Sequence, residues 1–169
     1  SHSVPVAGFG HLGSPVAVGI DISCIPSDWH EADASNNTPR YDDTHPVVLS
    51  SSHVNPVGEM ASWIDRFVAS GGKNPVILRR SYNSGTTDEM TIEAAADLGA
   101  LLLGGYGSGI ALQVEGMPQE DVNRLSLGIL QAARLRFSKT EYIACPSCGR
   151  TLFDLPETLA QVRRATAHL

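Results

Sequence analysis

Pro46-Val-Val-Leu-Ser-Ser-Ser-His-Val-Asn-Pro-Val-Gly-Glu-Met-Ala-Ser-Trp-Ile-Asp-Arg-Phe-Val-Ala-Ser-Gly-Gly-Lys-Asn-Pro-Val-Ile-Leu78 is the stretch that decides the fold. Pro46 to Ser50 reads as a short apolar strand, and Pro75 to Leu78 as the next. Between them, Asn55-Pro56 is a helix start: the amide side chain caps free N–H groups, and proline at the first helical position gives up an N–H that has no partner there. Met60, Trp63, Ile64, Phe67 and Val68 follow at helical spacing, and Gly71-Gly72 stops the helix. A strand, a helix and a strand in about thirty residues form one βαβ unit, which requires a parallel sheet.

The rhythm continues downstream. Thr86 or Thr87 caps a second helix with Asp88 and Glu89 in its first turn, and Ile92, Ala95, Ala96 and Leu98 are expected on its inner face. Ala100-Leu-Leu-Leu103 reads as a strand, Gly104-Gly-Tyr-Gly-Ser-Gly109 as a glycine-rich turn, and Ile110 to Val114 as another strand. Pro118 to Phe137 is the clearest helix, striped by Val122, Leu125, Ile129, Leu130 and Ala133. A strand over Tyr142 to Ala144 and a helix over Leu155 to Leu169, with Leu155, Leu159 and Val162 inward, complete the pattern. Upstream, Val16 to Ile22 reads as a buried strand, and residues 1–15 as loop. Cys24 to Thr44 is acidic and without periodicity, so it reads as a lid or a disordered span. His30, Glu31 and Asp33 within it suit a metal by residue type, but a solvated loop explains them more simply. The expected architecture is α/β: part of a (β/α) barrel or an open parallel sheet, with sites where strand C-termini meet the following loops. Arg79-Arg80-Ser81, the Gly104 to Gly109 loop and the cysteine pair described next are all expected at such ends.

Composition narrows the function classes. The 169 residues suffice for one domain with a core, or one domain and part of another. Hydrophobic content of 42% with 18% charged residues is that of a folded chain. A formal charge of -6 without a Lys/Arg run argues against nucleic acid or an anionic membrane as partner. No apolar run approaches the ~20 residues of a membrane span. The start, Ser1-His-Ser-Val-Pro5, does not resemble a signal peptide and has no initiator Met, so a reduced compartment and a piece of a longer protein are expected. Cys24 reads as a small hydrophobe.

The chemistry-bearing motif is Cys145-Pro-Ser-Cys148, after an apolar lead and before Gly149-Arg150. Two thiols at this spacing are half of a zinc site, a redox pair, or two ligands of an iron–sulfur cluster. No second Cys-x-x-Cys or His-x-x-x-His completes a zinc ribbon. A dithiol oxidoreductase predicts a depressed Cys145 pKa, and a cluster would need further ligands. The glycine loop lacks the Lys-Ser/Thr of a phosphate-binding loop and leads into a strand, so a tight turn is the simpler reading. Arg79 and Arg80 point to opposite faces of a strand, so at most one meets an anion.

Thr140-Glu-Tyr-Ile-Ala-Cys-Pro-Ser-Cys-Gly-Arg-Thr-Leu-Phe-Asp-Leu155 closely resembles the cluster-binding segment of the 4-hydroxy-3-methylbut-2-enyl diphosphate synthase family (GcpE/IspG), in the long form of plants and some bacteria. Leu98 to Ile110 is similar to that family's strand and Gly-x-Gly turn, with Ser108 where an acidic residue is usual, and Leu130 to Arg136 is similar to the helix before the cluster segment. The resemblance is strong over residues 76–169 and weak over 1–75. It implies an oxidoreductase that reductively opens 2-C-methyl-D-erythritol 2,4-cyclodiphosphate in isoprenoid biosynthesis. A 4Fe–4S cluster would supply electrons, ferredoxin or flavodoxin would be the donor, and the parent would be a homodimer in the bacterial cytoplasm or the plastid stroma. Residues 1–137 would be an inserted barrel-like domain, and 138–169 the first strand and helix of the cluster domain. Cys145 and Cys148 match two cluster ligands, while Arg150 and Arg80 are candidates for anion contacts. The family's third cysteine and a ligand Glu lie in a downstream motif that this sequence does not contain, so the isolated chain is expected to be inactive and without an intact cluster. The alternative is a structural spacer or interaction domain without catalytic residues of its own.

Overall fold

A computed structural model of the chain describes residues 19–21, 25–38, 40–42, 44–142 and 154–168. Two compact units emerge, Ser1–Arg136 and Phe137–Leu169. In the first, β1 is Gly19–Asp21, β2 His30–Asp33, β3 Val47–Ser50, β4 Val76–Tyr82 and β5 Gly109–Val114. The helices are α1 (Pro56–Ala69), α2 (Thr87–Leu103) and α3 (Gln119–Ala132). The described strands form one sheet in the order β1-β5-β4-β3-β2, and every pair is parallel. The expectation of an alternating parallel α/β fold therefore holds.

Strands β2 to β5 sit in sequence order, and α1, α2 and α3 pack on one face of the sheet. Alternation along the strands does the rest. Val47, Leu49, Val76, Leu78, Ile110 and Leu112 join Met60, Trp63, Phe67, Leu98 and Leu130 of the helices in one core. Val48, Ile77 and Ala111 point to the other face, where Ile25 and Trp29 pack on them. Trp63 lies fully buried, its ring stacked on Phe67 at 5.1 Å.

The caps follow from the sequence. Asn55 accepts from the Gly58 N–H at 3.1 Å, with Pro56 opening α1. Thr86 and Glu89 form a reciprocal capping box at the start of α2.

Four expectations are corrected. Ala100 to Leu103 is the last turn of α2 and not a strand. A four-residue apolar run before a glycine suits either element, and here Leu101 and Leu102 continue the stripe of Met90, Ala94 and Leu98. That stripe also sets the helix phase, so Ala95, Ala96 and Ile92 face outward, with Ile92 69% exposed. The span Cys24 to Thr44 contains β2, whose N–H and C=O groups pair with β3 as the sheet's edge. Val68 turns to solvent, while the other four expected residues of α1 are buried.

β1 falls within the strand expected over Val16 to Ile22, and the rest of that run lies outside the described residues. In the second unit, α4 is Leu155–Ala165, capped by Asp154 accepting from the Glu157 N–H at 3.0 Å. Leu155 and Leu159 are half-buried, whereas Val162, expected inward, is exposed. The Tyr142 hydroxyl meets Thr166 Oγ1 at 2.5 Å, and the Arg163 guanidinium lies 5.4 Å from the Tyr142 ring centre. The strand expected over Tyr142 to Ala144 lies outside the described residues apart from Tyr142, which is not in a strand.

Candidate functional site

The C-terminal ends of β4 and β5 border a cleft of about 530 Å³ lined by Ser81, Tyr82, Asn83, Gln113, Glu115 and Gln119 among others. The Glu115 N–H donates to Tyr82 O at 2.8 Å and ties the two strand ends together. The lining offers hydroxyls, amides and one carboxylate, but no His, Cys or Lys. It can hold a polar group by hydrogen bonds. No histidine stands beside its hydroxyls to activate them as a base.

Arg80 sits behind this edge on β4 and faces the helices, its side chain 12% exposed. Its Nη1 donates to Ser51 O at 2.8 Å, its Nη2 to Asp97 Oδ2 at 3.3 Å and its Nε to Tyr82 Oη at 3.4 Å. The Tyr82 hydroxyl also donates to Asp97 Oδ2, at 2.9 Å, and burial pushes its pKa well above the ordinary value. Three of the five guanidinium N–H groups are thus engaged, which leaves two for any anion. Arg79 points to the opposite face and reaches Glu31 at 3.3 Å.

The glycine loop is not at this edge. Because residues 100–103 are helical, Gly104 to Ser108 connects the end of α2 to the start of β5, on the N-terminal side of the sheet. The Ser108 N–H donates to Val76 O at 2.7 Å, and the Tyr106 hydroxyl reaches Asp65 at 3.3 Å. The expected meeting of this loop with Arg79-Arg80-Ser81 does not occur. Cys145, Cys148 and Arg150, like Cys24, lie outside the described residues.

Alternation along β2 puts His30 on the face opposite Glu31 and Asp33. Glu31 pairs with Arg79, and Asp33 accepts from the Ser35 hydroxyl and N–H, which lower its pKa. His30 instead meets Asp42 and His45, a grouping that sequence spacing did not reveal. The Thr44 hydroxyl and N–H, with help from His30, hold the Asp42 carboxyl down at about 2.

No family model matches the chain. It is similar to the 4-hydroxy-3-methylbut-2-en-1-yl diphosphate synthase (flavodoxin) of Porphyromonas gingivalis, at 47% identity over 123 residues, or 73% of this chain and 21% of that protein. The protein of the same name from Parabacteroides distasonis is 44% identical over 128 residues, 76% of this chain and 21% of the relative. The chloroplastic 4-hydroxy-3-methylbut-2-en-1-yl diphosphate synthase (ferredoxin) of rice, Oryza sativa subsp. japonica, is 44% identical over 105 residues, 61% of this chain and 14% of the relative. The chain spans about a fifth or less of the length of these curated relatives. At such identity over most of its residues, it belongs to the 4-hydroxy-3-methylbut-2-en-1-yl diphosphate synthase family and represents a part of such a protein.

Proposed function

We propose that the chain is a piece of an iron–sulfur reductase that converts 2-C-methyl-D-erythritol 2,4-cyclodiphosphate to 4-hydroxy-3-methylbut-2-enyl diphosphate. The observation that carries this reading is the 47% identity to the Porphyromonas gingivalis synthase. Residues 1–137 are the inserted barrel-like domain and 138–169 open the cluster domain. Cys145 and Cys148 are two ligands of a 4Fe–4S cluster. Such a cluster is held chiefly by thiolates, and a Cys-x-x-Cys pair suits half of that ligation. When bound, the cluster supplies the electrons for reductive ring opening with loss of a hydroxyl as water. Arg150, two residues beyond Cys148, meets a phosphate of the substrate or hydrogen-bonds to the cluster's surroundings. The two remaining N–H groups of Arg80 are a second anion contact.

The electron donor is flavodoxin or ferredoxin, each part of a relative's name. The parent is a homodimer in the bacterial cytoplasm or the plastid stroma, with no nucleic-acid or membrane partner. No helix among the described residues is long and apolar enough to cross a membrane. In the full-length enzyme, Cys145→Ser and Cys148→Ser each abolish dithionite-driven turnover and the cluster's absorbance. Turnover retained in either variant refutes the assignment. The isolated chain is inactive, and a stoichiometric 4Fe–4S signal after anaerobic reconstitution would overturn that.

A second reading applies to residues 1–137: a spacer that spaces or docks the catalytic parts. The cleft without a His, Cys or Lys and the internal engagement of Arg80 favour it. Asn83→Ala with Gln113→Ala in the full-length enzyme separates the two readings. Unchanged turnover supports the spacer, and a raised KM supports substrate contact.

A further inference from the structure

His30 opens β2, and Asp42 and His45 lie in the connection that leads into β3. Parallel pairing of these strands, with the His30 N–H donating to Pro46 O at 3.0 Å, brings the three together at the N-terminal edge of the sheet. Asp42 Oδ1 lies 3.2 Å from His30 Nε2 and 3.9 Å from His45 Nδ1, and one ligand atom from each residue lies within 4.8 Å of the others. Ligand atoms around a tetrahedral zinc, at about 2.0–2.1 Å from the metal, stand roughly 3.3–3.4 Å apart. The 3.2 Å separation matches one edge of that figure, and the 3.9 Å separation needs only a small inward shift of the exposed Asp42.

The polar neighbours of the three side chains are held close as well. Asp42 Oδ1 accepts from the Thr44 N–H and the Thr44 hydroxyl, and His30 Nε2 lies against the same oxygen. His45 Nε2 faces Asp28 Oδ2 at 3.2 Å, and its Nδ1 lies 2.7 Å from Thr44 Oγ1 on the side of Asp42. A carboxylate oxygen and two imidazoles therefore converge at one place, a donor set that suits a cation.

The supports are in place as well. A carboxylate on the far nitrogen of a ligand histidine is the usual outer-shell partner at metal sites. The ring of His30 is stacked on Tyr41 at 4.8 Å. Asn74, only 2% exposed, uses its amide nitrogen to bind the backbone carbonyls of both Asp42, at 2.5 Å, and His45, at 2.8 Å. A buried side chain thus fixes the loop that carries two of the three ligands.

We propose that His30, Asp42 and His45 bind a divalent transition-metal ion of the zinc class, with water completing the coordination and Asp28 orienting His45. Two imidazoles and one carboxylate suit zinc over the all-oxygen cations calcium and magnesium. The site lies at the edge opposite the C-terminal ends of the strands, so the ion is a structural clasp between β2 and the connection to β3.

The test uses the whole chain with Cys24, Cys145 and Cys148 changed to serine, so that thiolates do not compete. Zinc titrated by calorimetry binds with one-to-one stoichiometry, and cobalt in its place gives a visible absorption band. Imidazole NMR signals of His30 and His45 shift on zinc addition, while those of His53 and His168 do not. Asp42→Asn is exposed and keeps the fold, yet removes the saturable site, as does His30→Ala. Asp28→Asn weakens binding about 10- to 100-fold. Zinc binding that persists in both Asp42→Asn and His30→Ala overturns the proposal. So does the absence of saturable binding in a chain whose circular dichroism is unchanged.

Discussion

Gly107→Ala tests whether the glycine loop is shaped by packing. Gly107 has φ +85°, and a Cβ there would lie 2.7 Å from Leu78 Cγ and 2.8 Å from its Cδ1. Leu78 is wholly buried on β4 and cannot swing aside. The left-handed backbone costs an alanine about 1–2 kcal/mol. The clash adds an overpacking cost of about 1–3 kcal/mol, for a total of about 2–5 kcal/mol. Gly105 is the control: its φ is +81°, but a Cβ there meets nothing within 4 Å. Gly105→Ala therefore costs about 1–2 kcal/mol, and both substitutions stiffen the unfolded chain alike. Urea unfolding followed by the fluorescence of Trp29 and Trp63 measures the difference. With a slope of about 1–3 kcal/mol per molar, Gly107→Ala lowers the midpoint by roughly 1 M more than Gly105→Ala. In a Leu78→Ala background, Gly107→Ala falls to the backbone cost alone, which makes the cycle non-additive. Equal midpoints for the two alanine variants, or full additivity with Leu78→Ala, would refute the packing argument.

Two further predictions concern ionised groups. Arg80→Met leaves Asp97 without its cation beside buried Tyr82. Since the side chains of Arg80 and Asp97 are 12% and 18% exposed, the cost is about 3 kcal/mol, and a urea midpoint indistinguishable from wild type contradicts it. Glu89, whose carboxylate accepts from the Thr86 N–H and hydroxyl, has a folded pKa below its ordinary 4.5. Its contribution is therefore fully present above that value and is lost as pH falls through the lower folded pKa. Between about pH 5.5 and 3, wild type loses more Tm than Glu89→Gln, and parallel curves would count against the capping box as the cause.

The β3-α1-β4 unit and α3 were legible because their apolar residues recur with one period over enough length to exclude the other. Ala100 to Leu103 was not, since four apolar residues carry no period. The phase of α2 was obscured by alanines and leucines on several faces. β2 escaped because His30-Glu-Ala-Asp33 is an edge strand. One neighbour and much solvent leave no demand for an apolar run. The spacing of Cys145 and Cys148 left a zinc site, a redox pair and a cluster open, since all three use the same two thiols. The engagement of Arg80 was not, because Ser51 and Asp97 are 29 and 17 residues away in sequence. His30, Asp42 and His45 meet only through strand pairing, which the loop reading of that segment concealed.

The position of β1 sets a timetable for synthesis. Strands β3, β4 and β5 each dock on the one made just before, so this part of the sheet can grow as the chain leaves the ribosome. β1 is made before the other described strands, yet its partner is β5, with Gly19 opposite Ile110 about 90 residues later. At translation rates of about 5–20 residues per second, β1 waits roughly 5–20 seconds with its edge unpaired. Among the described strands, the earliest in sequence pairs with the latest, so the β1 edge of the sheet closes only after β5 is made.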